Sequence, residues 1–238
     1  MLISCVMVTR PERAWCLPLA VQCWLAQRHE PREMVIVSDG PVRAREEVAP
    51  NIRFLQVPGQ HSVGWKRNEA IARARGDLIA TWDDDDWSSL DRLSVYVEAL
   101  LSAGADVAGS TTMLFHELIG ERRTLRYRYP GGRPYVVGGT MVYRRSAWER
   151  AGRYPDKSKG EDSDLAYKLC RGRVALVEDD RHYVAMVHRR GQTGRTEWDP
   201  RPDRFRPAEV SAEEIMGAAA LRRYEEAFAR AINLRGAA

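Results

Sequence analysis

The sequence predicts an α/β protein with a mostly parallel central sheet flanked by helices. Three observations lead to this class. Short apolar runs rich in strand formers recur through the first hundred residues, helical patterns separate them, and polar residues directly follow several of the runs. Strands that alternate with helices form βαβ units, whose strands run parallel. A smaller antiparallel part and a C-terminal helix are predicted for the second half of the chain.

In the first half, we predict strands at residues 2–8, 34–37, 52–57 and 78–82. Pro11 opens a helical pattern, and a second helix spans residues 64–76 and stops at Gly76. The residues predicted to face inward are Ala14, Leu17, Val21, Trp24 and Leu25 in the first helix and Ala70, Ile71 and Ala74 in the second. Because ligands bind beyond the carboxyl ends of parallel strands, the polar residues after these strands should collect at one edge.

In the second half, a helix is predicted at residues 91–101, with Leu93, Val97, Leu100 and Leu101 buried. Antiparallel strands are expected within 107–129, another strand at 135–143, helices at 146–151 and 163–170, and short strands at 174–177 and 183–187. Ser211 and Glu214 form a capping box that starts a final helix, whose apolar stripe is Ile215, Leu221, Tyr224, Phe228 and Ile232. The predicted domain is 1–198, with halves 1–101 and 102–198, followed by a Pro/Arg-rich linker and helix at 199–238.

Composition narrows the functional classes. The chain has 238 residues, 44% hydrophobic and 29% charged, which excludes disorder, collagen and coiled coil as its main organisation. The formal charge of +4 is too small to indicate nucleic-acid binding by itself. Four cysteines without C-x-x-C spacing indicate buried free thiols in a reducing compartment. No segment is typical of a membrane span or a signal peptide, so we expect a cytoplasmic protein and leave a peripheral membrane contact open.

Four consecutive aspartates, Asp83, Asp84, Asp85 and Asp86, end the fourth predicted strand. Adjacent carboxylates repel each other, and a divalent cation that prefers oxygen ligands relieves the repulsion. In an extended segment, Asp83 would pair with Asp85 and Asp84 with Asp86. A solvated acidic turn is the alternative, but two flanking tryptophans and the strand-end position favour a site.

Other candidates carry weaker signals. Glu161 and Asp162 precede an apolar helix, where spacing alone favours a helix cap at Asp162 or Ser163 over a general base. Gly138 and Gly139 indicate a bulge or a close approach to a ligand. His188 follows a strand, and a lone histidine is more often structural than a ligand. Residues 122–129 alternate Arg and Tyr, which fits a solvated edge strand or a surface for an anionic or nucleic-acid partner.

Taken in order, these motifs resemble those of the family-2 glycosyltransferases with the GT-A fold. The resemblance covers about residues 2–188 and depends on five or more short motifs in the right sequence. They are the strand ending in Thr9, the segment 35–40 with Asp39, the segment 66–70 with Arg67, the segment 76–87 with the four aspartates, residues 138–140, and residues 160–165. It implies a GT-A-like fold with a nucleotide-binding half and an acceptor half.

The resemblance also implies roles for individual residues. Thr9, Asp39 and Arg67 would hold the nucleotide of a UDP-, GDP- or dTDP-sugar, and Asp83 would lie near the ribose. Asp84, Glu161, Gly138 and Gly139 belong to the nucleotide-sugar set, the glycines bordering sugar and acceptor. Asp85, with His188, would bind Mn²⁺ or Mg²⁺ at the diphosphate. Asp162 would be the general base of an inverting transfer to a glycan, lipid-linked or other acceptor. An in-line displacement requires such a base on the side of the sugar opposite the leaving diphosphate.

Two departures from the family pattern bear on the nucleotide. The aromatic and asparagine step that is usual after Thr9 is absent, and Ser38 stands where a second aspartate is frequent. A nucleotidyltransferase is the first alternative, but residues 9–12 lack a glycine-rich phosphate loop. The second alternative is a catalytically silent nucleotide-sugar-binding module, against which the presence of both Asp85 and Asp162 argues.

Overall fold

A computed structural model describes residues 1–42, 49–188, 198 and 200–236, and its strands form two sheets. The strands are β1 Ile3–Thr9, β2 Arg32–Ser38, β3 Ile52–Gln56, β4 Leu78–Thr81, β5 Trp87–Ser88, β6 Val107–Gly109, β7 Thr112–Glu117, β8 Thr124–Arg128, β9 Val142–Arg144, β10 Val174–Leu176, β11 Tyr183–Val187 and β12 Phe205–Pro207. The α-helices are α1 Leu17–Leu25, α2 Val63–Arg73, α3 Arg92–Ser102, α4 Arg145–Arg150, α5 Glu161–Leu169, α6 Ala212–Met216 and α7 Ala218–Gly236.

The larger sheet has the order β10-β6-β9-β4-β1-β2-β3. The strands β3, β2, β1 and β4 run parallel, and β9 is antiparallel to its neighbours β4 and β6. Both faces of this sheet are buried: along β2, Met34 and Ile36 pack into one core while Val35 and Val37 pack into the other. Helices α1 and α3 cover the first face, and α2 and α5 cover the second. The predicted α/β class with a mostly parallel central sheet is confirmed.

The smaller sheet has the order β12-β8-β7-β11-β5. One face, with Leu114 and Met186, packs against Tyr224 and Phe228 of α7. The opposite face carries Phe115 and a further set of apolar side chains, Met113, Tyr183, Ala185 and Val187. That second face has no helix packed on it in the described part of the chain, and it borders a cleft described below.

Several predicted inward positions are wrong, for local reasons. Ala14 is exposed, since it follows the 3₁₀ turn Pro11–Arg13 and lies outside α1, and Leu25, the last residue of α1, is 45% exposed. Leu101 is 41% exposed, and Tyr96 takes its place in the buried face of α3. In the C-terminal helix, Gly217 adopts φ +82° and separates α6 from α7, and Ile232 is 46% exposed.

Two further expectations are corrected. The Arg/Tyr-alternating segment is not an edge strand, because β8 lies between β7 and β12, so that part of the predicted linker supplies a strand. Neither Asp162 nor Ser163 caps α5, whose N-cap is Gly160 with φ +70°.

Other expectations are confirmed. The capping box of Ser211 and Glu214 is present, and all four cysteines are free. Among the described residues, no helix combines the length and the apolar character that crossing a bilayer requires.

Candidate functional site

The polar residues that follow β1, β2 and β4 meet at the carboxyl edge of the larger sheet, as predicted. Lys66 of α2 joins two of them, since its ammonium group donates to Asp39 Oδ2 at 3.0 Å and to the carbonyl oxygen of Thr9 at 3.3 Å. Lys66 is only 2% exposed. Through these two contacts Lys66 links the end of β1 to the residue that follows β2.

The four aspartates pair differently from the prediction. Arg13 donates to Asp84 Oδ1 at 2.6 Å and also contacts Asp85 Oδ2. The Tyr183 hydroxyl donates to Asp83 Oδ2 at 2.9 Å and also contacts Asp86 Oδ2. Asp84 therefore pairs with Asp85, and Asp83 with Asp86, because the chain leaves β4 in a bend and not as an extended strand.

Arg13 neutralises much of the charge of this acidic loop. Burial by itself would lower the pKa of its guanidinium, but Asp84 and Asp85 raise it well above the ordinary value. Burial raises the pKa of the Asp84 carboxyl, and Arg13 opposes that rise. An arginine remains protonated throughout the physiological range, so Arg13 acts as a fixed cation beside the two aspartates.

His188 lies beside Asp85, the other residue of the predicted metal pair. Its Nε2 is 2.9 Å from Asp85 Oδ2, and the ring is held by Trp15, edge-on at 5.1 Å, and by Phe228 at 6.2 Å. An imidazole nitrogen and a carboxylate oxygen are both ligands that Mn²⁺ accepts. Within the described residues, no group of three or more His, Cys, Asp or Glu side chains is arranged to hold a metal ion by itself.

Arg67 of α2 connects the acidic loop to the start of α5. Its Nη2 donates to Asp83 Oδ1 at 2.8 Å and lies 3.7 Å from Glu161 Oε1, and the guanidinium sits 5.4 Å from the centre of the Tyr154 ring. Burial alone would lower the pKa of Arg67, but Asp83, Tyr154 and Glu161 raise it well above the ordinary value. Burial raises the pKa of Glu161 to about 7, although Arg67 opposes the rise.

The two glycines are explained by side chains that approach the backbone. A Cβ atom on Gly138 would lie 2.2 Å from Asp162 Oδ2, and one on Gly139 would lie 2.7 Å from the Tyr183 hydroxyl oxygen. The other oxygen of Asp162 accepts a hydrogen bond from the Ser163 amide at 2.7 Å. The 3₁₀ turn Gly138–Thr140 thus sets the position of the Asp162 carboxylate.

A cleft of about 400 Å³ brings these groups together. Its lining includes the charged side chains of Arg67, Asp83, Glu161 and Asp162 together with aromatic side chains of the smaller sheet. A narrower pocket is lined by Thr9, Arg10, Arg13, Val8, Val63, Lys66, Arg67, Asp83, Asp84 and Asp85. Because Arg67 and Asp83 line both, the pocket over the sheet edge and the cleft in front of Asp162 adjoin each other.

Comparison with known families agrees with this architecture. The family model described as "Glycosyl transferase family 2" matches residues 4–152, which is more than half of the chain. The chain belongs to glycosyltransferase family 2. The succinoglycan biosynthesis protein ExoO of Rhizobium meliloti is 33% identical to it over 94 residues, which are 37% of this chain and 27% of ExoO.

Solved structures of S. aureus TarS share the fold. For TarS 1–349 in complex with UDP-GlcNAc, the TM-score is 0.62 at 18% identity over 94% of this chain and 65% of that one. For the crystal structure of TarS 1–349, the TM-score is 0.61 at 17% identity over 79% of this chain and 61% of that one. The chain therefore spans less than two thirds of these relatives. The predicted GT-A-like fold is confirmed.

Three residues of this family-2 site were not assigned roles from the sequence. The sequence offered one signal for Lys66, since it lies next to Arg67 in the same motif. Its contact with Asp39 appears only in the structure. Arg13 and Tyr183 carried none, because their partners Asp84 and Asp83 are 71 and 100 residues away in the chain. His188 and Asp85, 103 residues apart, were brought together only by the family resemblance.

Proposed function

We propose that this chain is an inverting glycosyltransferase that moves a sugar from a nucleoside diphosphate donor to an acceptor hydroxyl. The observation that carries the proposal is the junction of the two cavities at Arg67 and Asp83. It gives a nucleotide a pocket at the sheet edge and leaves its sugar in the cleft before Asp162. Membership in glycosyltransferase family 2 supports the same reaction class.

On the donor side, Thr9, Asp39 and Asp84 line or flank the narrow pocket, and Lys66 and Arg67 supply positive charge. Cationic side chains at the edge of a parallel sheet suit a diphosphate. TarS has been crystallised with UDP and with UDP-GlcNAc, so we propose a UDP-sugar as the first donor to test. GDP- and dTDP-sugars remain the alternatives.

The side chains of Asp85 and His188 also fit a divalent cation, Mn²⁺ or Mg²⁺, as its ligands. Such ions are often held by one or two protein ligands together with substrate phosphates, which matches a site with no third pre-arranged ligand among the described residues. When bound, the ion would stabilise the charge that develops on the leaving diphosphate. Since Arg13 already contacts Asp85, it would have to share that carboxylate.

Asp162 is proposed as the general base. Its carboxylate takes the proton of the acceptor hydroxyl while the acceptor oxygen bonds to the anomeric carbon. The bond from that carbon to the β-phosphate oxygen breaks, and the nucleoside diphosphate leaves with the electron pair. Attack from the side opposite the leaving group inverts the configuration. Gly138 leaves space for Asp162 at this position.

The first test measures donor binding and its metal dependence. Thermal shifts of the purified protein should increase with one of the UDP-, GDP- or dTDP-sugars when Mn²⁺ is present, because the ion links Asp85 to the diphosphate. Asp85→Asn should remove this metal-dependent shift, although the side chain keeps its size and shape. Asp91→Ala, at an exposed aspartate paired with Arg28, is the control and should behave like wild type. Equal shifts with and without metal would contradict the metal role.

The second test separates binding from chemistry. Asp162→Asn should bind the donor as wild type does but lose transfer and donor hydrolysis by about 10²-fold or more, because the amide cannot accept the proton. Asp164→Asn, two residues further on and paired with Lys157 at the surface, is the control and should remain active. Full activity of Asp162→Asn would place the base elsewhere, and donor binding with no transfer in wild type would favour a silent module. The cytoplasmic location stays a prediction.

A further inference from the structure

The acceptor side of the cleft contains a cluster of aromatic side chains from the smaller sheet. Phe115, Tyr127 and Phe205 lie within 5.2–6.3 Å of one another, measured between ring centres. Trp198 stacks on Phe115 at 5.2 Å, and its indole donates to Glu117 Oε1 at 2.8 Å. These rings and Asp162 line the same cleft. Aromatic faces suit the apolar faces of sugar rings, so this wall provides a place for an acceptor.

Two arginines border the same aromatic cluster. Arg201 and Arg204 stand in the turn before β12 and line the cleft. Their guanidinium Nε atoms lie 3.9 and 3.8 Å from the same residue, Asp203, and both side chains are 42% exposed or more. In the described part of the chain, Asp203 is the carboxylate within ion-pair distance of either. One carboxylate against two guanidinium groups leaves a net positive charge at this rim.

The rest of the cleft is acidic. Asp83, Asp86, Glu161 and Asp162 line it, and Arg67 is the cation on that side. Tyr127 stands between the two regions: burial raises the pKa of its hydroxyl, Arg204 and Arg201 oppose the rise, and Asp162 adds to it. An anionic acceptor would be repelled from the acidic wall and attracted to the arginine rim, which fixes its orientation in the cleft.

We propose that the acceptor is a saccharide that carries an acidic group, whose ring packs on the half-buried Tyr127, Trp198 and Phe205 and whose acidic group pairs with Arg201 and Arg204. This assignment rests on the proposed function, and it names the substrate class of the same cleft. Guanidinium groups bind carboxylate and phosphate alike through paired N–H donors. The shared chemistry is therefore an anionic sugar, with the charge on a carboxylate or on a phosphate.

The experiment measures binding of three probes to the full chain without donor: trigalacturonate, glucose 6-phosphate and the neutral maltotriose. Titration calorimetry at low salt should show at least one acidic probe binding about tenfold more tightly than maltotriose, since only the acidic probes can form charge-assisted contacts with the two guanidinium groups. The advantage should fall as salt is raised. Whichever acidic probe binds more tightly identifies the carboxylate or the phosphate as the acidic group.

The double variant Arg201→Gln/Arg204→Gln should lose the preference for acidic probes and keep the melting temperature, because both side chains are exposed. The matched control is Arg150→Gln/Arg181→Gln, two exposed arginines that pair with Asp106 and Asp179 away from the cleft. Equal binding of acidic and neutral probes, or an unchanged preference in the Arg201/Arg204 variant, would overturn the proposal. Because no donor is used, this result is independent of the donor-binding test.

Discussion

At the scale of single residues, Glu161 shows how burial beside the cleft changes protonation. Its side chain is 3% exposed and is faced by Arg67, Asp83 and Asp162. The folded pKa of about 7 exceeds the unfolded value near 4.5. Between these two values the folded chain holds a proton that the unfolded chain has lost. The contribution of Glu161 to the free energy of unfolding is therefore greatest at low pH and falls as pH rises through this window.

We predict that Glu161→Gln flattens the pH dependence of stability. In wild type, this one group should lower the free energy of unfolding by up to about 1.4 kcal/mol per pH unit within the window, and the neutral amide removes that slope. Urea denaturation at several values between about pH 5 and about pH 8 measures the difference. Glu98→Gln, at an exposed position of α3, should keep the wild-type slope. Parallel curves for wild type and Glu161→Gln would refute the shifted pKa.

The two cleft glycines show a different residue-scale effect. Neither Gly138 nor Gly139 needs its glycine for a left-handed backbone. Each is explained by the space that a neighbouring side chain occupies, Asp162 in one case and Tyr183 in the other. The sequence predicted a bulge or a close approach to a ligand here; the groups that approach these glycines in the structure belong to the protein itself, and a ligand contact stays a prediction.

At the scale of elements, α7 supports the acidic loop. The Tyr224 hydroxyl donates to the carbonyl oxygen of Asp86 at 3.0 Å, and the ring of Phe228 packs against Trp15 and His188. Phe228 is 5% exposed and belongs to the core between α7 and the smaller sheet. The C-terminal helix thus contributes packing to a candidate metal ligand that lies about forty residues earlier in the chain.

We predict that Phe228→Ala lowers the free energy of unfolding by about 3–5 kcal/mol, because it removes a buried ring and leaves a cavity beside His188. Ile232→Ala, one helical turn further along α7 at a 46% exposed position, should cost less than about 1 kcal/mol. Chemical denaturation followed by tryptophan fluorescence compares the two. Equal losses for both variants would mean that α7 does not pack as described.

At the scale of the whole molecule, most strands and helices follow from the sequence. Residues 34–37, 52–57, 78–82 and 183–187 all lie in strands or within one residue of their ends, because short apolar runs of buried strands are recognisable locally. Most predicted inward positions of α1 and α3 are buried, whereas Leu25 and Leu101, near the C-terminal ends of these helices, are exposed. Sequence periodicity does not show where the core stops covering a helix.

The division of the chain was harder to predict. Residues 199–238 were assigned to a linker and a helix, and this division stays a prediction. In the structure, β12 pairs with β8, and α6 and α7 bury one face of the smaller sheet. The arginine rim is formed by the turn before β12, so a segment that reads as a charged, proline-rich linker supplies one wall of the cleft. The pairing of β12 with β8 places this segment beside the cleft.

The sequence by itself determined the α/β class, the positions of most strands along the chain and the carboxyl edge at which Thr9, Asp39 and the aspartates collect. These features depend on local periodicity and on where each strand ends. Tertiary structure decided which carboxylates pair, because Arg13 and Tyr183 reach Asp84 and Asp83 from 71 and 100 residues away. It also decided that Asp162, Arg201 and Arg204 line one cleft, since the contacts that bring them together join segments with no local signal for each other.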